Sequence, residues 1–172
     1  MKRSKKILYI SHCLLNQNTI APTLVKKGWT SGVWELTRLC EKYDVGLEQM
    51  PCPEFDVKGY PRCLATKDDY ETEEFRDYCK KLSEEVEKNI RKFEKAGFKV
   101  LGVVGVAGSP SCGVFETHRK NVEGRVKESG IFMEELKKIV KKPFTDFDYK
   151  KPELSLKKLE AICLHGPKNE ND

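Results

Sequence analysis

The sequence lacks any long apolar run. Behind the basic start at residues 1–6, the run Ile7–Ile10 is far shorter than the core of a signal peptide or a membrane span. Internal repeats and linkers are also missing, and 172 residues suffice for one domain but not for two ordinary ones. We therefore expect a single cytoplasmic domain over residues 1–165, followed by a disordered tail at residues 166–172.

An excess of one charge sign is missing as well. The chain has 32 Lys and Arg against 27 Asp and Glu, which gives a net charge of +5. The two signs alternate along most of the chain, a pattern typical of solvated helix faces rather than of a surface that binds nucleic acid. We expect neither nucleic acid nor a membrane as a partner, and a monomer or a weak dimer in solution.

The seven cysteines include no Cys-x-x-Cys pair, and the three histidines are not spaced as metal ligands. Both absences argue against a closed tetrahedral zinc site. The odd number of cysteines and the lack of a signal-peptide pattern also argue against a disulfide framework. In a reducing compartment the cysteines are core residues, nucleophiles or metal ligands.

Strand and helix patterns alternate along the chain. Short apolar runs predict buried strands at Lys6–Ile10, Val45–Met50 and Lys99–Val106. Apolar residues at helical spacing predict helices over residues 31–44, 72–97 and 130–141, and a short helix after residue 155. This alternation predicts the α/β class, with a single three-layer domain around a small parallel sheet of three to five strands, which is Rossmann-like. The unpatterned stretch 56–70 is expected to be a loop beside the site.

Cys13, Cys52 and Cys112 each lie just beyond the carboxyl end of a predicted strand. These ends share one edge of a parallel sheet, where ligands bind. Thiolates select zinc, copper(I) or iron–sulfur clusters. On a [4Fe-4S] cluster, three thiolates would leave one iron without a protein ligand, and that iron could bind a substrate atom as a Lewis acid.

The other four cysteines are expected to be non-ligands. Cys40, Cys79 and Cys163 lie on the apolar stripes of predicted helices, where cysteine packs as a small core residue. Cys63 lies in the long loop, and its sequence context alone does not distinguish a ligand from a non-ligand.

Polar residues close to the three cysteines are candidates for chemistry. Glu54 follows Cys52 by two positions and could be an acid–base group. The hydroxyls of Ser109 and Ser111 could face a ligand or cap backbone groups. Asn16 suits either a turn or the recognition of a polar ring edge. His12 adjoins Cys13, but alternation in an extended segment would direct it to the other face, which favours a structural role.

At these residues the sequence resembles the thiouracil desulfurase family. The matching pieces, between residues 7 and about 115, are Ser11-His-Cys13-Leu-Leu, Cys52-Pro-Glu54, Gly59-Tyr-Pro-Arg62 and Ser109-Pro-Ser-Cys112-Gly. The resemblance implies a cytosolic α/β domain whose three cysteines bind a [4Fe-4S] cluster, with the substrate sulfur taken up by the unique iron. It also places Glu54 and Ser109 where the family has its catalytic pair. Asn16-Gln-Asn18 departs from the family pattern, and residues after about 124 have no match, so the chain is a divergent member.

The predicted function is the removal of sulfur from a small thiolated heterocycle such as thiouracil. Water would add to the carbon of the C–S bond without net electron transfer, with Glu54 as acid–base group and Ser109 bonded to the ring or the developing anion. Ser111 and Asn16 are the predicted substrate-binding residues. One alternative is a non-catalytic iron–sulfur or sulfur-carrier protein in tRNA or cofactor thiolation, which needs no Glu54. Another is a structural zinc module with His12 or Cys63 as fourth ligand.

Overall fold

A computed structural model describes residues 3–25 and 28–165. The predicted disordered tail, residues 166–172, lies outside the described residues. All strands of the sheet are parallel and are ordered β2-β1-β3-β4. They are β1 (Lys6–Ile10), β2 (Gly46–Gln49), β3 (Lys99–Val106) and β4 (Phe144–Phe147). The small parallel sheet predicted from the apolar runs is therefore confirmed.

Helices connect the strands and cover the sheet. They are α1 (His12–Leu15), α2 (Trp34–Lys42), α3 (Pro53–Lys58), α4 (Glu73–Lys95), α5 (Ile131–Ile139) and α6 (Pro152–His165). The long helix α4 begins as predicted, because the Thr72 side chain accepts a hydrogen bond of 3.2 Å from the Phe75 N–H. None of the helices among the described residues is long and apolar enough to cross a membrane.

Alternation of side chains along the central strands divides the core into two halves. Ile7 and Tyr9 of β1 pack on one side with buried residues of α4 and α5. Leu8 and Ile10 pack on the other side with buried residues of α2 and α6. Since successive side chains of a strand point to opposite faces, this arrangement gives helix, sheet and helix layers. The predicted three-layer α/β fold is confirmed.

Four details differ from the sequence prediction. The edge strand β4 was missed, because it has only four residues, of which two are polar, and only Phe147 is fully buried. The short helix α1 lies where an extended segment is predicted, and α3 overlaps the start of the predicted loop 56–70. Helix α2 begins at Trp34 rather than after Ser31, and no side chain caps it. Helix α6 begins at Pro152, a residue type that suits the first turn of a helix.

Candidate functional site

One cavity of about 420 Å³ opens at the carboxyl ends of the strands. Cys13, Cys52 and Cys112 all line it. Cys13 lies on α1, which follows β1. Cys52 lies between β2 and α3, directly before the first residue of α3, and Cys112 lies in the turn after β3. The parallel arrangement of neighbouring strands therefore brings the three predicted thiols to one place.

The turn that carries Cys112 is folded tightly back on β3. The Val106 N–H donates to the Cys112 carbonyl at 2.9 Å, and the Cys112 N–H donates to the Ser109 Oγ at 2.9 Å. A Cβ atom added at Gly105 would lie only 2.3 Å from the Cys112 carbonyl oxygen. Glycine at position 105 is therefore what allows the turn to bring Cys112 against the strand.

The three thiols influence one another electrostatically. Burial raises the pKa of Cys13 to about 12, and Cys52 and Glu54 add to this shift. Burial, followed by Glu54, raises the pKa of Cys52 to about 11. Burial also raises the pKa of Cys112 well above its usual value, with further contributions from Cys52 and Cys13. A positive centre between the thiols would be needed to hold all three as thiolates.

The three thiols are a donor set of the kind that binds iron–sulfur clusters. Among the described residues, no group of three or more Cys, His, Asp or Glu side chains is arranged to hold one metal ion. A cluster of several irons is broader than an ion, so its thiolates must stand around a cavity rather than meet at a point. Three thiols on the wall of one cavity meet that requirement.

Glu54 is a buried carboxylate held on both of its oxygens. It lies in the first turn of α3 and is only 5% exposed, yet it lines the cavity. Its Oε2 is paired with the guanidinium of Arg62, whose Nε donates to the Thr19 carbonyl at 2.9 Å. Its Oε1 accepts from Ser111 Oγ at 2.5 Å and lies 3.3 Å from Ser109 Oγ. This network fixes where the carboxylate can act.

Arg62 remains charged beside this carboxylate. Burial alone would lower the pKa of the guanidinium, but Glu54 and Cys52 together raise it above its usual value. The ion pair between Arg62 and Glu54 is almost fully enclosed, with side-chain exposures of 8% and 7%. A buried pair of this kind fixes geometry, and removal of either partner leaves an uncompensated group.

The structure separates the other predicted site residues into two groups. Ser109 lines the cavity, as the sequence prediction requires. Ser111 is fully buried, and it is not among the described residues that line the cavity. Asn16 is also outside the lining, and its Oδ1 accepts from the Asn18 N–H at 3.1 Å. The contacts of Ser111 and Asn16 are therefore with the protein itself, the first with Glu54 and the second within a turn.

The family of this chain follows from comparison with known proteins. A family model described as "Putative 2-thiouracil desulfurase" matches residues 5–141, most of the chain. The chain belongs to the 2-thiouracil desulfurase family. Since this is a desulfurase family, the chain is an enzyme, as the sequence predicted.

Two individual proteins are similar to this member of the desulfurase family. Over 141 residues, which are 81% of each chain, it is 33% identical to "Uncharacterized protein MJ0003" of Methanocaldococcus jannaschii. A solved structure, "[4Fe-4S]-dependent thiouracil desulfidase TudS", matches with a TM-score of 0.49 and 17% identity. That match covers 90% of this chain and 97% of the other.

His12 also lines the cavity of this desulfurase-family chain, on the same side as the three thiols. The sequence prediction directed it to the opposite face, because it assumed an extended segment where the chain forms α1. The His12 ring stacks on Phe55 with centroids 6.5 Å apart, and its Nε2 is buried without a hydrogen-bond partner among the described residues. Burial lowers its pKa, while Asp56 opposes this effect.

Two further residues near Cys13 were missed. Tyr149 lines the cavity, and Gln17 contacts both the Cys13 carbonyl and the Tyr149 hydroxyl. Tyr149 could not be predicted, because it follows the unrecognised edge strand β4. Cys63 lies on an exposed part of the cavity wall, as expected for a loop residue.

Proposed function

We propose that this protein removes sulfur from a small thiolated heterocycle such as 2-thiouracil at a [4Fe-4S] cluster held by Cys13, Cys52 and Cys112. One observation carries the proposal. Three thiols from three different strand ends and the buried carboxylate of Glu54 share one cavity. The membership of the chain in a desulfurase family supports the same reaction.

The cluster would supply a Lewis acid. Cys13, Cys52 and Cys112 would hold the cluster, and an iron without a protein ligand would serve as the Lewis acid for a thiocarbonyl group. The overall reaction is hydrolytic, because water replaces sulfur on the carbon and the products are a carbonyl compound and hydrogen sulfide. The oxidation state of the carbon does not change, so no oxidant or reductant is needed.

Glu54 would move the protons of this reaction. Its carboxylate takes a proton from the water that adds to the carbon and returns a proton to the departing sulfur. Arg62 and Ser111 hold the two carboxylate oxygens, so the group needs little reorganisation when it acts. Ser109, which reaches the cavity beside Glu54, would hydrogen-bond the ring or the developing anion.

The walls of the cavity suit a small ring. Ile20, Ala21 and Val106 are buried apolar residues that line it. Apolar walls with a few directed polar groups are typical of pockets for small molecules. Such walls would exclude bulk water and leave the reacting water next to Glu54.

Glu54→Gln tests the acid–base role. The amide retains the size of the side chain but cannot accept a proton, so sulfide release from thiouracil should fall by ~10²–10⁴-fold while iron content is retained. The matched control is Asp56→Asn, the same chemical change two residues further along α3 on an exposed side chain that contacts Tyr78 at 3.0 Å. This control should release sulfide at a rate close to that of the wild type.

The assay uses anaerobically purified, cluster-loaded protein and measures sulfide from a panel of thiopyrimidines and thioamides. Because Glu54→Gln leaves the buried Arg62 without its carboxylate, unfolding is measured alongside to separate lost stability from lost catalysis. Equal sulfide release by the wild type and by Glu54→Gln would contradict the proposed role and would favour a sulfur carrier.

A further inference from the structure

His118 is a cavity residue that lies just beyond the sequence pieces that carry the family resemblance. Its backbone is held from two directions. The Thr117 N–H donates to the Val126 carbonyl at 3.1 Å, and the Val126 N–H donates back at 2.9 Å. From the other side, the Lys67 N–H donates to the His118 carbonyl at 2.9 Å. The imidazole is therefore carried by an anchored segment of the cavity wall.

The position of the hydrogen on the His118 ring follows from its contact with Gly124. Nδ1 lies 2.7 Å from the Gly124 carbonyl oxygen. Since a carbonyl can only accept, Nδ1 carries the hydrogen, and in the neutral ring Nε2 has a lone pair. Arg125 holds the chain next to Gly124, because its guanidinium donates twice to the Asp148 carboxylate, both times at 2.9 Å. The protein thus sets both the orientation of the ring and its tautomer.

The Nε2 atom of His118 lies beside the turn that carries Ser109. It is 3.1 Å from the place where a Cβ would stand at Gly108, and the glycine leaves that space open. Gly108 directly precedes Ser109, whose hydroxyl lies 3.3 Å from Glu54. Within the described part of the chain, Nε2 makes no hydrogen bond, whereas Nδ1 does. An unused acceptor therefore stands close to the proposed catalytic pair.

Most other polar side chains of the cavity wall are poor acceptors for a ligand. Both oxygens of Glu54 already accept hydrogen bonds from the protein. Four wall residues are cations, which can only donate; they are Arg62, Arg119, Arg125 and Lys150. A thiolated pyrimidine has N–H groups next to its C–S carbon, and an enclosed N–H needs an acceptor. The lone pair of His118 Nε2 meets that need.

We propose that His118 is a specificity-determining residue whose Nε2 accepts a hydrogen bond from a ring N–H of the substrate, an inference that rests on the proposed function. The bond selects rings in which an N–H adjoins the thiocarbonyl group. A ring alkylated at that nitrogen leaves the acceptor unpaired, and sites built around a hydrogen bond reject such analogues. The same bond orients the ring relative to Ser109 and Glu54.

His118→Leu tests this inference, because leucine fills much of the space of the ring but has no acceptor. His118→Gln restores an acceptor, since its amide oxygen can take the place of Nε2. The matched control is His165→Leu, the same exchange at the end of α6, at a histidine that is not among the described residues lining the cavity. Iron content and urea unfolding of all variants are measured first, so that a lost cluster or fold is recognised.

Two properties are then compared in cluster-loaded protein. The first is kcat/KM for sulfide release from 2-thiouracil and from its 1-methyl and 3-methyl derivatives. The second is the binding of uracil, which has the same ring N–H groups but no sulfur, measured by calorimetry. The wild type should prefer 2-thiouracil to one of the two methylated isomers by ~10-fold or more.

His118→Leu should lose this preference, because its kcat/KM with 2-thiouracil falls to about the value for that isomer, and it should bind uracil more weakly. His118→Gln should recover part of both properties, and His165→Leu should match the wild type. Equal losses on all three substrates, or unchanged uracil binding in His118→Leu, would overturn the inference with the proposed function still standing. A wild type that releases no sulfide from any thiopyrimidine would overturn both.

Discussion

Ser109 and Ser111 are two positions apart and contact the same oxygen of Glu54, yet only Ser109 reaches the cavity. The intervening proline and the tight turn direct the Ser111 side chain inward, where it is fully buried. Ser109 is partly exposed and accepts from the Cys112 N–H as well. The difference in burial therefore gives the two serines different roles: Ser111 holds the carboxylate, and Ser109 can contact a substrate.

The two serines should therefore respond differently to alanine. Ser111→Ala removes a buried hydrogen bond to a carboxylate, and the free energy of unfolding should fall by about 1.5–3 kcal/mol. Ser109→Ala should cost less stability, because its contact with Glu54 is longer, at 3.3 Å. It should lower sulfide release by ~10-fold or more, as the loss of one bond of ~1–3 kcal/mol implies. Urea unfolding and the sulfide assay measure the two effects. Unchanged stability in Ser111→Ala would show that this bond does not hold Glu54.

At the scale of elements, the turn after β3 depends on how closely it returns to the strand. Gly105 has the Cys112 carbonyl oxygen 2.3 Å and a Val114 methyl carbon 2.6 Å from the place where a Cβ would stand. The closest group to a Cβ at Gly46, in strand β2 of the same sheet, is the Lys6 carbonyl oxygen at 3.5 Å, an ordinary contact. The backbone around Gly46 therefore has room for a side chain, whereas the backbone around Gly105 does not.

Gly105→Ala should therefore displace the turn that carries Cys112. Forcing a methyl group into this space should cost about 1–3 kcal/mol of unfolding free energy and should reduce iron content, because one ligand moves. Gly46→Ala is the matched control and should keep both close to wild-type values. Both proteins are compared by urea unfolding and anaerobic iron analysis. Full iron content in Gly105→Ala would refute the claim that this close approach positions Cys112.

Elements with a strong pattern could be predicted from the sequence, and those with weak patterns could not. Strand β3 is apolar on both faces, and α4 has one apolar stripe over its whole length, so their types and positions were found. Strand β4 is stabilised by its pairing with β3 at the edge of the sheet. A local sequence pattern does not indicate such pairing. Helices α1 and α3 are four and six residues long, too short to show a period.

At the scale of the whole molecule, the order β2-β1-β3 explains why three distant cysteines share one cavity. The strands before Cys52, Cys13 and Cys112 are parallel neighbours, so their carboxyl ends meet at one edge. This part of the site could be predicted, because it depends only on where strands end. The positions of three other residues at the site could not be predicted, because they depend on loops whose course is set by tertiary packing. These residues are Arg62, Gln17 and Tyr149.

The central claim is that Cys13, Cys52 and Cys112 hold a cluster with one open iron, and metal analysis of anaerobically purified protein tests it most directly. The wild type should contain about four irons and about four inorganic sulfides per chain. Alanine at any of the three positions should abolish the cluster, whereas Cys79→Ala, a fully buried core cysteine of α4, should retain it. One zinc per chain would contradict the claim. Loss of the cluster in Cys63→Ala as complete as in Cys52→Ala would contradict the open iron.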